Sequence, residues 1–224
     1  LKNSQPPFLA KMVSDIASVT SDTEWMKKAL RYLIREHTFW MEKRHTPCGL
    51  NQYAGSREKA VQEEIYKDYI KRIGHRPENI DDECLSIQYI GACESGWDVS
   101  PRFGFEIEQY APVCLNALLY MLESTIAGLI VRTQTGDGEK WQKKADARKE
   151  KMNRFMLDDG VFFDYNFVKN EKSRVFSCAS FYPLMAGLAT QEQAEALRRR
   201  MFCLETDFGL TACEKRETPY VFQW

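Results

Sequence analysis

Glu94-Ser95-Gly96-Trp97-Asp98-Val99-Ser100-Pro101-Arg102 sets a carboxylate beside an indole in a stretch too irregular for ordinary helical core. Ser95-Gly96 before the tryptophan and Ser100-Pro101 after the aspartate break helical periodicity, which puts Trp97 and Asp98 on a loop or at the mouth of a helix. Loops held by a rigid scaffold are where binding and catalytic groups concentrate. A carboxyl group against an aromatic wall is desolvated and its pKa rises, which suits a general acid that must keep its proton near neutral pH. The same letters also suit a helix cap or an Asx-turn formed by Asp98 ahead of Ser100-Pro101. Residue chemistry alone leaves both open.

The sequence on either side of this stretch is helical in pattern. Residues 80–93 read as a helix leading into it. Residues 112–131 are apolar nearly all round and predict an inner helix covered on both sides. That segment resembles a membrane span, but Asn116, Glu123, Ser124 and Thr125 interrupt it and leave no adequate apolar run. Residues 140–157 carry one apolar stripe (Trp141, Ala145, Met152, Phe155, Met156) opposite a densely charged face, as an outer helix does.

Toward the N-terminus, Pro6-Pro7 fixes the entry of a short helix over residues 8–19. Residues 22–43, capped by Ser21 or Asp22, place Trp25, Met26, Ala29, Leu30, Leu33, His37, Trp40 and Met41 on one wide face. Residues 57–73 read as a charged, mostly exposed helix. Toward the C-terminus, residues 160–165 suggest a short strand or hairpin edge. Residues 173–189 are again largely apolar and count among the buried helices, and 191–201 are amphipathic. Buried and half-buried helices therefore alternate, as an all-α toroid of inner and outer helices requires, although a plain bundle or solenoid shares the pattern because periodicity does not determine ring closure.

Composition narrows the chemistry. Lys and Arg total 31 against 32 Asp and Glu, a formal net charge of −1, so nothing electrostatic favours nucleic acid or an anionic membrane. The seven cysteines form no Cys-x-x-Cys pair, and several lie in apolar helical patterns, which implies reduced, buried thiols and a cytoplasmic address. His37 lies on an apolar face, and the three histidines join no Cys or carboxylate cluster at ligand spacing. It reads as a core or interface residue. No glycine-rich phosphate cradle and no cysteine-protease pairing is present, so no metal, nucleotide or other cofactor is expected.

Four ordered blocks add a second line of argument. Asn3-Ser4-Gln5-Pro6-Pro7-Phe8 is similar to R-S-Q-P-P-F, and residues 94–102 are similar to E-S-G-W-D-F-S-S-R-W. Pro112-Val113-Cys114-Leu115-Asn116-Ala117 is similar to P-V-D-L-N-A, and Gln223-Trp224 to the opening of Q-W-D-x-P-x-G-W. In these blocks, and in their order and spacing, the chain resembles the trehalase family of glycoside hydrolases from end to end.

The resemblance implies an (α/α)6 toroid whose inner-helix ends surround a sugar pocket, and inverting hydrolysis of a small α-linked disaccharide or glycoside. One carboxylic acid then protonates the leaving oxygen while a second carboxylate, roughly 6.5 to 9.5 Å away, activates water. Asp98 matches the family's general acid. Gly96 and Trp97 match residues that line the sugar site, and Arg102 one that braces the loop or balances the acid's charge. Gln5, Asn116, Gln223 and Trp224 match positions at or near the pocket. Stacking on indole and hydrogen bonds to hydroxyls are the expected recognition of a neutral sugar.

Three departures bear on the substrate. Asn3 stands where the family has arginine, and Cys114 where it has aspartate. The family's R-P-E-S segment is replaced after Leu50-Asn51-Gln52-Tyr53 by Ala54-Gly55-Ser56-Arg57-Glu58; Arg76-Pro77-Glu78 carries the letters closer to Asp98 than the family segment lies. Such changes keep the reaction class and alter the leaving-group site, which admits a glycosidase with a non-trehalose substrate. The glutamate expected as general base and the family's upstream glycine-rich signature have no match. Residues 1–224 are therefore expected to be one partial catalytic domain continuing beyond both ends. A non-catalytic helical sugar-binding domain is the alternative.

Overall fold

A computed structural model of the chain describes residues 4–73, 80–98 and 100–214. Helices dominate. After Pro6-Pro7 comes α1 (Leu9–Val19), then α2 (Thr23–Lys43), whose first turn is capped by the Asp22 carboxylate accepting the Trp25 N–H at 2.9 Å. α3 (Lys59–Ile73) and α4 (Asp82–Ser95) pack together, and Asp81 caps α4 by accepting the Cys84 N–H at 2.7 Å. Gly96 ends α4 in the left-handed conformation, φ 76°, which a residue without a Cβ adopts at little cost.

A short strand, β1 (Tyr110–Ala111), leads directly into α5 (Val113–Thr133), and α6 (Gly138–Met156) returns along it. Leu115, Leu118, Leu119, Leu122 and Ile126 of α5 are fully buried. At roughly 1.5–3 kcal/mol for each fully buried aliphatic side chain, this helix supplies much of the core's stabilisation. α5 is long and apolar enough to cross a membrane, contrary to the sequence expectation, because its polar residues are too few to lower the average. Protein covers it instead: 78% of its most apolar window is buried, between α1, α2 and α6, and Glu123 is ion-paired inside.

Beyond α6 the chain runs through paired short strands. β2 (Leu157–Asp158) and β3 (Val161–Phe162) form a hairpin, and β4 (Tyr165–Asn166) is the centre of a three-stranded antiparallel sheet with β1 and β5 (Glu171–Lys172). The pairing of Ala111 with Tyr165 brings residue 164 to the start of α5.

The apolar stretch 173–189 is not the helix expected from its composition. Ser177 caps a single 3-10 turn, Cys178–Phe181; Pro183 lies in the first turn of the four-residue α7 (Tyr182–Met185); and Gly187, φ 71°, turns the chain away. Its apolar residues still reach the core at Phe176, Ala179 and Leu188. Short apolar runs do not distinguish helix from other buried backbone. α8 (Gln191–Arg200) begins with a capping box of Thr190 and Gln193, and the hairpin of β6 (Glu205–Thr206) and β7 (Gly209–Leu210) follows.

The helices gather several ends at one pole. Arg44, just past α2, pairs with Glu94 at the end of α4, while Asn51 exchanges hydrogen bonds with Asn116 in the first turn of α5. At the opposite pole Arg132, near the end of α5, donates to Ala17 O and Thr20 O at the end of α1. Asp98 follows α4 at the first pole.

Candidate active site around Asp98

Asp98 and Trp97 line one small cleft. Tyr69 of α3, Tyr89 of α4, Phe103 and Phe105 complete its aromatic wall. Its volume is about 20 Å³, room for roughly one water molecule and no sugar ring. Larger surface grooves of about 480, 500 and 450 Å³ lie between α3 and α4, along α1 and α5, and beside α8; none of them includes Asp98.

Asp98 is half-buried. Burial pushes its carboxyl above the usual aspartate range, and backbone hydrogen bonding and the Arg72 guanidinium pull only partly back. A carboxylic acid that retains its proton better than a solvated aspartate is suited to donate it to a leaving oxygen.

The loop carrying Asp98 is tied down on both sides. Before it, Glu94 is fully buried and receives Arg44 Nη2 at 2.7 Å on Oε1, Arg44 Nε at 3.0 Å on Oε2 and the Ala54 N–H at 2.9 Å. The Ser4 hydroxyl donates to the same carboxylate, so one acid joins the N-terminal segment, α2, the 44–58 connector and α4. After it, the buried Arg102 makes a two-pronged bond to Asp164, Nε to Oδ2 at 3.0 Å and Nη2 to Oδ1 at 2.7 Å. Its guanidinium lies 4.7 Å from the Trp97 ring centroid and 4.5 Å from that of Phe103.

The other sequence-derived candidates fall in different settings. Gly96 is the exposed left-handed cap before Trp97, and the backbone N–H of the half-buried Trp97 donates to Ser95 Oγ at 3.0 Å. Gln5 is exposed beside Ser4. Gln223 and Trp224 lie outside the described residues, as do Asn3 and Arg76-Pro77-Glu78.

Asn116, expected at or near the sugar pocket, is held among protein partners. It is fully buried; its amide nitrogen donates to Asn51 O and Pro112 O, and its oxygen accepts from Asn51 N and Arg148 Nη1. Two donors and two lone pairs are thereby occupied, which leaves nothing for a sugar hydroxyl. The structure makes it a scaffold residue joining the connector to α5 and α6.

Two acids that hold this region were not assigned a role from sequence. Glu94 stands in the quoted stretch and Asp164 in a short apolar run, but their partners Arg44 and Arg102 are remote in the chain, and no spacing rule finds such pairs. Among the described residues, no group of three His, Cys, Asp or Glu side chains is placed to hold a metal ion.

Comparison with known proteins bears on the family and the fold. The neutral trehalase Nth1 from Saccharomyces cerevisiae superposes with a TM-score of 0.79 at 27% identity, over 98% of this chain and 48% of that one. The GH63 mannosylglycerate hydrolase from Thermus thermophilus, solved with glucose, gives 0.64 at 20% identity over 98% and 56%, a likeness of fold. An uncharacterized conserved protein from the same organism gives a TM-score of 0.63 at 19% identity over 98% and 60%. The chain thus spans about half the length of these structures and shares the all-α, (α/α)6 glycosidase architecture. The trehalase family model matches residues 1–219, and the chain belongs to the trehalase family.

Proposed function

We propose that this chain carries the proton donor of an inverting glycoside hydrolase acting on a small α-linked disaccharide or glycoside, and that Asp98 is that donor. The observation that carries the reading is the placement of Asp98: half-buried beside Trp97, with its carboxyl raised by burial, in a loop pinned at Glu94 and Arg102. Family membership supports the reaction class.

The substrate is placed outside the small cleft, at the part of the half-buried Asp98 carboxyl that the cleft does not enclose. There the protonated Asp98 gives its proton to the glycosidic oxygen as the bond from the anomeric carbon to that oxygen breaks. A second carboxylate, roughly 6.5 to 9.5 Å away across the ring, takes a proton from the water that attacks the opposite face. No residue of this chain is assigned that second role. Residues 1–224 act as one part of a catalytic domain, a reading supported by the 48% share of the trehalase chain that they match. Gly96, Trp97 and Gln5 are the sugar-facing candidates on this side, with Gln223 and Trp224 proposed from sequence alone. Seven thiols without a disulfide support a reducing, cytoplasmic setting.

A non-trehalose glycoside is the second reading. Cys114 contacts Arg102 where the family motif has aspartate, and Arg57, in place of the R-P-E-S segment, is paired with Glu108 at 2.7 Å. Assaying the native full-length polypeptide on trehalose beside other α-linked glucosides and mannosides separates the two. Hydrolysis of any of these, with inversion at the anomeric carbon, supports the reaction class. Sugar binding without turnover on the whole panel points to a binding domain instead.

A further inference from the structure

We propose that Asp164 is a positioning residue for the acid-bearing loop, acting through Arg102; the idea rests on the reading of Asp98 as proton donor. Arg102 is four residues from Asp98, and its side chain is fully buried. Its guanidinium is the surface against which the rings of both Trp97 and Phe103 rest, at 4.7 and 4.5 Å. Both rings also line the cleft of Asp98. The location of that guanidinium therefore sets the aromatic wall beside the acid.

Asp164 sets the location of the guanidinium. Among the described residues it is the carboxylate that pairs with Arg102, and its two-pronged bond fixes the plane of the guanidinium as well as its distance. Asp164 is itself held at two further points. Its Oδ1 accepts the Val113 N–H at 2.9 Å, capping α5, and its carbonyl accepts the Ser173 N–H at 2.7 Å. The start of the core helix and the loop of Asp98 thus meet in one carboxylate, whose own backbone is tied to the segment after β5. Cys114 Sγ lies 3.6 Å from both terminal nitrogens of Arg102 and is its neighbour on that side.

This geometry gives a second-site test. Asp164→Asn keeps the shape and the acceptor for Val113 but removes the charge. A carboxylate introduced by Cys114→Asp would reach the same guanidinium. In the native full-length polypeptide, Asp164→Asn is expected to lower kcat on the best glycoside of the panel by about 10- to 100-fold with KM changed by less than about 3-fold. The Trp97 indole resonance in a ¹⁵N-tryptophan spectrum should shift with it. Adding Cys114→Asp should restore both.

Unchanged kcat and an unshifted Trp97 resonance in Asp164→Asn would overturn the proposal. So would a double variant that regains its melting temperature but neither kcat nor the resonance. If Asp164→Asn does not fold, the double variant alone gives the answer: folded and active supports positioning, folded and inactive refutes it. The reading of Asp98 fails separately, as full turnover in Asp98→Asn while the Trp97 shift in Asp164→Asn persists.

Discussion

Arg148 of α6 grips Glu123 of α5 with two prongs, Nε to Oε2 at 3.0 Å and Nη2 to Oε1 at 2.9 Å, in the interior of the helix pair. His37 of α2 lies 3.2 Å from the same carboxylate, and Arg148 Nη1 reaches Asn51 and Asn116. Three helices and the 44–58 connector are joined by this one polar cluster. Removing a single member leaves a buried charge without its partner, which costs more than the pair contributes. Glu123→Gln is expected to lower unfolding free energy by about 3–5 kcal/mol in urea titrations. A change within about 0.5 kcal/mol, the range of ordinary surface substitutions, would show that the pair is dispensable.

The same carboxylate predicts an acid limb of stability. Burial alone would raise the Glu123 pKa, but Arg148 and His37 overcome it and hold the group at about 2, below its ordinary 4.5. A carboxyl depressed in the folded state contributes its full stabilisation above pH 4.5 and loses it as pH falls toward 2. Wild-type protein should therefore lose stability across that window, and Glu123→Gln should show a shallower slope there. Equal slopes would contradict the assignment.

Gly55 packs against the backbone of α4. A Cβ at this position would lie 2.1 Å from the Ile87 carbonyl oxygen, and the Gly55 N–H donates to Glu108 at 2.9 Å. Neither backbone can yield without disturbing the connector. Gly55→Ala should destabilise by about 1–3 kcal/mol, in the range of overpacked cores. Gly96→Ala meets no atom within 4 Å and should cost only the strain of its left-handed φ, about 1 kcal/mol. Comparison of the two melting curves checks the order.

Asp22 caps α2 from an exposed position. Asp22→Ala should lower stability by about 1 kcal/mol, and Asp22→Ser by much less. Amide exchange should localise the effect to the first turn of α2.

Much of the fold was legible because the long helices declare themselves twice, by period and by cap. α2 is the clear case, with Asp22 at its start and an apolar face that repeats at three and four residues. Residues 173–189 escaped this reasoning because Pro183 and Gly187 break the backbone while Phe176, Ala179 and Leu188 still fill core. At the site, the neighbourhood of Trp97 and Asp98 was readable from adjacent letters. Arg102–Asp164 and Arg44–Glu94 were not, since such pairings are made by tertiary folding between distant segments. The same holds for Asn116: its motif position is visible in sequence, while the four partners that occupy its amide are not.

Glu94 ties Ser4, Arg44 and Ala54 to the end of α4. Glu94→Gln should leave Arg44 partly unpaired and loosen the N-terminal segment, with earlier proteolysis near Ser4 as the readout. An unchanged cleavage pattern would assign the anchoring of that segment to other contacts.

Turnover by Asp98→Asn in the native full-length polypeptide, measured alongside its melting temperature, decides whether Asp98 gives its proton to a glycosidic oxygen. An unaltered fold and a loss of hydrolysis of about 10²–10⁴-fold are expected, the range associated with a positioned general acid. A folded Asp98→Asn variant that hydrolyses glycosides at the wild-type rate would contradict that role.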